Sequence, residues 1–199
     1  MVFVQIINSK NKGYMKKLVY VFALASVFTS CQKDLLQPEV EFPIDNSSNS
    51  SGFSSGNSST LRFDKEVERL IVLKTNELRR AAGRDTLVQT VDGDSIAGMH
   101  SADMAANNYF SHYDQNGGNP FSRAFDYGLA FSAFGENIAK RGPYSGGALA
   151  EDIASAFITQ WSNSAGHYQN MIDSDFEYIG VGFAFDNDSV AYGTQVFYK

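Results

Sequence analysis

The chain has 199 residues and a formal net charge of −6, with 43% hydrophobic, 14% aromatic and 19% charged residues, which suits one globular domain with appendages. The first 31 residues hold four Lys and no acid, so the remainder sets 12 basic against 22 acidic groups. That balance excludes a nucleic-acid surface, which needs clustered cations, and electrostatic docking on anionic lipid. Cys31 is the single cysteine, so an internal disulfide is excluded as well.

In chain order, residues 15–31 read MKKLVYVFALASVFTSC. Lys16 and Lys17 precede an apolar run from Leu18 to Phe28, too short to span a bilayer, and then small residues and Cys31. This is the layout of a secretory signal, with Met15 as the expected start. It resembles a bacterial lipoprotein signal, in which Cys31 is lipidated and becomes the new N-terminus. Phe28 departs from the aliphatic residue usual three positions before such a cysteine. Residues 1–30 are thus read as upstream residues plus signal peptide, and residues 31–60 as a lipidated Cys followed by a Ser/Asn/Gly-rich tether. Too few apolar groups lie in that tether to offset the entropy of folding. The protein is expected to be exported, held in a bacterial outer membrane through Cys31, and exposed at the cell surface. Within the tether, Gly52-Phe53-Ser54-Ser55-Gly56 matches the G-x-S-x-G pattern of a nucleophile elbow. The pattern has meaning only between a strand and a helix, which this stretch does not suggest.

The folded domain is expected over 61–199. Val67, Leu70, Ile71, Leu78 and Ala81 recur at helical spacing in 64–82, with Asp64 as N-cap and Gly83 as stop. A second helix is predicted over 95–106, with Ile96, Met99, His100, Asp103 and Met104 on one broad face; His100 reads as structural. Asn119-Pro120 opens a third helix and Gly128 closes it. A fourth covers 148–161, with Ile153, Ala154, Phe157 and Trp161 aligned. From Tyr178 to Phe185 the period changes to two, Asp186–Ser189 form a turn, and Val190 to Tyr198 return as a second strand. Helices followed by an antiparallel hairpin read as α+β.

Two histidines sit among turn and cap residues, His112 in NNYFSHYDQNGG and His167 in WSNSAGHYQNMI, and Glu136 lies between them in FSAFGENIAKRG. Glu136 stands among apolar neighbours, where a carboxylate needs compensation. A zinc-protease helix of the H-E-x-x-H type is absent from the sequence.

The segments NELRRAAG (76–83), ADMAANNYFSHYDQNGGNPFSR (102–123), GENIA (135–139), WSNSAGHYQNMI (161–172), YIGVGFAF (178–185) and YGTQVF (192–197) occur in order with fitting intervals. Together they resemble the CAP superfamily of cysteine-rich secretory, antigen 5 and pathogenesis-related proteins, in its disulfide-free bacterial branch. The resemblance implies a three-layer α-β-α sandwich, with a small antiparallel sheet between helical layers and a strand within 131–142. It brings Glu136, His112 and His167 to a central cleft, with Asn137 beside them. There the carboxylate is compensated by two imidazoles, whose pKa values it should raise. His112 and His167 become the candidate metal ligands, for zinc, calcium or magnesium, though the resemblance requires no cofactor. The acid usual three residues after the Trp of the motif that carries His167 is missing here, where Trp161-Ser162-Asn163-Ser164 stands. Glu77 is a candidate substitute, against its plainer reading as a rim charge paired with Arg80 or Lys74. Ser111, beside His112, is the one nucleophile near the set.

The reading favoured is a non-catalytic module that binds a small molecule, lipid, glycan or divalent cation, in a monomer held to a membrane by its lipid and without nucleic-acid partners. The alternatives are a metal-assisted hydrolase using His112, Glu136 and His167, and an adhesive or structural surface protein.

Overall fold

The structure is a computed structural model and describes residues 56–199. The expected signal peptide, Cys31 and most of the expected tether lie outside the described residues. Nine elements follow one another: α1 (Gly56–Ala81), β1 (Val88–Gln89), α2 (Val91–Ala106), α3 (Pro120–Tyr127), β2 (Phe134–Arg141), α4 (Ala150–Ser162), α5 (Ala165–Ile172), β3 (Tyr178–Phe185) and β4 (Ala191–Tyr198). The α+β class and the sandwich hold. The sheet order is β1-β3-β4-β2. Its three long strands are antiparallel, but β1 runs parallel to β3, so the sheet is mixed rather than purely antiparallel.

Adjacent side chains of a strand point to opposite faces, and β4 shows which helices each face meets. Thr194 accepts from Ser101 Oγ on α2 at 2.8 Å, whereas Gln195 Nε2 donates to Thr75 Oγ1 on α1 at 2.8 Å. One face therefore carries α2, which buries Ile96, Ala97, His100 and Met104 against Phe134, Ile138, Val196 and Tyr192. On the other, α1, α4 and α5 cover Ile179, Val181, Phe183 and Phe197 with Val67, Ile71, Ile153, Phe157, Trp161 and Met171. The second helix starts at Val91, four residues earlier than expected, because Thr90 caps it through Gly93 N. Met99, expected on the packed face, is more than half exposed.

At two positions no side chain separates α2 from β3. A Cβ on Gly180 would sit 1.9 Å from the carbonyl carbon of Gly93, and one on Gly182 would sit 2.2 Å from that of Ala97. Glycine is required at both strand positions because helix and strand backbones touch there.

Asp64, expected as an N-cap, lies well inside α1, which begins at Gly56. The helix continues through Phe63, whose ring stacks on Phe185 with centroids 6.4 Å apart, so tertiary packing outweighs the local stop signal. Two residues of NELRRAAG tie α1 to the rest of the domain. Asn76 exchanges two hydrogen bonds with the backbone of Leu87. Arg79, 1% exposed, donates to the carbonyls of Asp85, Met171 and Asp173. The third helix follows its local signals closely: Asn119 accepts from Ser122 N, Pro120 opens the helix, and Gly128 ends it at φ 91°.

Both edges of the sheet are occupied by side chains. On β2 the carbonyl of Ile138 accepts from Trp161 Nε1 at 3.0 Å, and that of Glu136 from Asn170 Nδ2 at 3.4 Å. On β3, beyond the two residues of β1, Asp94 Oδ1 accepts from Val181 N at 2.9 Å.

Candidate functional site

Glu136 projects from β2 toward the α2 side of the sheet and is 2% exposed. Two side chains meet its carboxylate, but only one is a histidine. His112 Nδ1 lies 2.7 Å from Oε1, and Arg123 Nη2 donates to Oε2 at 2.6 Å. A carboxylate oxygen accepts, so the proton of a neutral His112 ring sits on Nδ1 and leaves Nε2 with the lone pair. The compensation expected from two imidazoles thus comes from one imidazole and one guanidinium, the charge-assisted kind of bond that buried carboxylates need.

The loop between α2 and α3 is built to deliver both groups. Ser111 Oγ accepts from Tyr113 N at 3.0 Å, and the Ser111 carbonyl accepts from His100 Nε2 at 3.0 Å. Asp114 Oδ1 accepts from Asn116 N and Gly118 N. Arg123, in the first turn of α3, reaches back to the carbonyls of His112 at 2.8 Å and Gly118 at 3.2 Å. Its guanidinium therefore locks the loop to the carboxylate. The motif ending in NPFSR contained this residue, but its partner lies 13 positions away in sequence and is met only in space.

His167 lies on the third residue of α5 and is half-buried. Burial, followed by the charge of nearby His112, lowers its pKa from the ordinary 6.5. This reverses the rise expected if Glu136 were shared by both rings, since Glu136 is engaged by His112 and Arg123 instead. His100 is likewise shifted down, chiefly by burial.

Asn137, the next residue of β2, points to the opposite face and is 0% exposed. Its Nδ2 donates to the His167 carbonyl and to Gln195 Oε1, both at 3.0 Å, and its Oδ1 accepts from Asn170 Nδ2 at 2.9 Å. Every polar atom of the amide is committed, one bond going to the backbone carbonyl of His167, so Asn137 holds α5 in place. Glu77 is exposed on α1, across the sheet from Glu136, and is no substitute acid for the cleft. Lys74, one of the two partners expected for it, instead pairs with Glu151 at 2.5 Å. Ser111 has its hydroxyl turned to the loop backbone.

Among the described residues no three His, Cys, Asp or Glu side chains gather in a way that could hold a metal ion. The described helices include none long and apolar enough to cross a membrane.

The family profile described as the cysteine-rich secretory protein family, CAP, matches residues 72–197. The Bacillus subtilis protein YkwD is 33% identical over 130 residues, 65% of this chain and 46% of its own length. The membrane protein YlbC of the same organism is 34% identical over 115 residues, 58% of this chain and 31% of its own length. The chain thus spans less than half of either relative. A solved extracellular protein containing an SCP domain, from Bacillus anthracis, superposes with a TM-score of 0.60 at 26% identity over 75% of this chain and 45% of that one. A solved outer surface protein of Borrelia burgdorferi superposes with a TM-score of 0.58 at 21% identity, over 68% of this chain and 93% of that one.

Proposed function

The chain belongs to the cysteine-rich secretory protein (CAP) family, and from that premise we propose that it is an exported, envelope-anchored module that binds a ligand at the His112–Glu136–Arg123–His167 cluster without turning it over. The observation that carries this reading is the state of Glu136. Both its oxygens are engaged, by His112 and by Arg123, so it orients a ring rather than waiting as a free general base. The Ser111 hydroxyl oxygen accepts from the Tyr113 amide rather than pairing with a base, and a nucleophile needs a base within hydrogen-bond reach. The groups assigned to the ligand are the imidazole of His112 and the half-buried ring of His167, whose pKa is lowered from the ordinary 6.5.

Neutral imidazoles suit a hydrogen-bond donor or a divalent cation. The residues fit a cation in part: His112 carries the carboxylate behind its ring that metal-bound histidines usually have. Two imidazoles fall short of the three or four protein ligands of a tight site, so a cation here would be exchangeable, held by His112 and His167. Export is supported by the signal layout of residues 15–31 and by the bacterial relative described as extracellular; lipid anchoring rests on Cys31.

The test is thermal unfolding with EDTA and with zinc, calcium or magnesium, on the wild type and on His112→Ala/His167→Ala. A cation-dependent rise in Tm that disappears in the double variant is the expected result. No shift with any cation would remove the metal reading and send the search to small-molecule and glycan probes. Cation-dependent hydrolysis of a peptide panel, abolished by Glu136→Gln, would overturn the non-catalytic reading.

A further inference from the structure

A groove of about 450 Å³ opens between α2, α3 and the loop that joins them, beside the Glu136 cluster, with which it shares Arg123. His100, 1% exposed, forms its floor. The Nε2 of this ring meets the Ser111 carbonyl at 3.0 Å. A carbonyl only accepts, so the ring proton is on Nε2 and Nδ1 bears a lone pair. That nitrogen is buried and has no partner among the described residues. An unmet acceptor of this kind costs about 1–3 kcal/mol, which the fold keeps only if something offsets it.

The rim supplies charge. Asp103, Asp114 and Asp126 line the groove. The bonds Asp103 and Asp114 make within the chain come from neutral donors: the Asn107 amide and Tyr109 hydroxyl for the first, the Asn116 and Gly118 amides for the second. Their negative charge is therefore not cancelled. Arg123 is the single cation in the lining; its two Nη atoms are bound to Glu136 and to two carbonyls, and its Nε is buried with no partner among the described residues. The walls supply apolar surface left in water, Met99 at 54% and Tyr127 at 41% exposure. A thioether and an aromatic face both suit an alkyl stem next to a cation.

We propose that this groove is a second binding site, for an organic cation bearing a primary ammonium on an apolar stem. Such a group offers three N–H donors, matching carboxylates at the rim and a bare acceptor at the floor. An anion would meet three carboxylates. A metal ion would need ligands converging on one point, and no such group of three exists among the described residues. The acceptors are spread along a groove, which fits an extended amine.

The test is an NMR chemical-shift titration of the protein with cadaverine, with a lysine-containing tripeptide, and with tetraethylammonium as a cation lacking N–H donors. Saturable shifts at Met99, His100, Asp126 and Tyr127 are expected with the first two probes. Equal affinity for both means that stem and ammonium are all that is read; tighter binding of the peptide assigns the site to lysine side chains. Tetraethylammonium, Asp126→Asn and His100→Phe should each weaken the interaction at least about fivefold. If His100→Phe fails to fold, Tyr127→Ala, a surface change, takes its place. The proposal is overturned if shifts fail to saturate, if they spread over the acidic surface unaltered by Asp126→Asn, or if tetraethylammonium binds as well as cadaverine.

Discussion

Replacing Arg123 by Ala strips Glu136 of one of its two partners. The carboxylate is 2% exposed and the Arg123 side chain 15% exposed, so water cannot readily take over. Breaking a buried ion pair by removing one partner typically costs ~3–5 kcal/mol. His112 still donates to the other oxygen at 2.7 Å, which places the expected loss near the lower end, about 3 kcal/mol. For a domain of this size that corresponds to a Tm lowered by roughly 6–12 °C. Calorimetry and urea unfolding measure it. Because most of the cost is an uncompensated charge rather than a lost attraction, adding Glu136→Gln to the Arg123→Ala background should restore at least part of the stability. Arg123→Lys should fall between wild type and Ala, since an ammonium cannot span the carboxylate and both loop carbonyls as the guanidinium does. An Arg123→Ala protein within about 1 kcal/mol of wild type, or a double variant weaker than the single one, would refute the reasoning.

Three further outcomes follow from the same structure. Gly180→Ala places a methyl 1.9 Å from the Gly93 carbonyl carbon and should abolish folding, read as loss of soluble protein and of a cooperative melt. Asn170→Ala removes an amide that donates to Asn137 Oδ1 and the Glu136 carbonyl and should cost about 2–3 kcal/mol in urea unfolding. Stability should also depend on pH through His167 and His100, whose folded pKa values lie below the ordinary 6.5. The unfolded chain then binds more protons between the folded and unfolded values, so this contribution is complete above about 6.5 and declines as pH falls below it. A urea midpoint lower at about pH 5.5 than at about pH 7.5, with a smaller difference in His167→Gln, is the expected result; a midpoint that rises on acidification would contradict it.

Local signals were legible where they were complete. Asn119, Pro120 and Gly128 delimit α3 without help from the rest of the chain, and the alternation in Tyr178–Phe185 marks β3. Periodicity could not show β2, because Phe134 to Ala139 are buried on both faces and offer no polar alternation; only the family resemblance pointed to a strand there. The eight residues of α5 have no side-chain cap bond and read as a continuation of a loop. Of the site, Glu136 and His112 were brought together only by the family resemblance, in a set of three with His167, and the structure joins those two directly. Arg123 was not legible, because ion pairing across a fold leaves no spacing to read. Glu77 was drawn to the cleft by its charge, and the position of α1 takes it elsewhere; Asn137 points to the opposite face of β2 from Glu136, where it holds the His167 carbonyl.

The side chains that fill the two margins of the sheet also decide how this protein can associate with others. An uncovered strand edge is a template onto which a foreign strand adds, the route to augmentation, swapping and fibres. Here Trp161 and Asn170 occupy outward carbonyls of β2, and Asp94 occupies the amide of Val181 on β3. The main chain is withdrawn from recognition at these positions. For a molecule proposed to work outside the cell, beyond the reach of cytoplasmic chaperones, that shifts the choice of partners toward side chains, and Trp161→Phe is the substitution that would free the Ile138 carbonyl on β2 for a foreign strand.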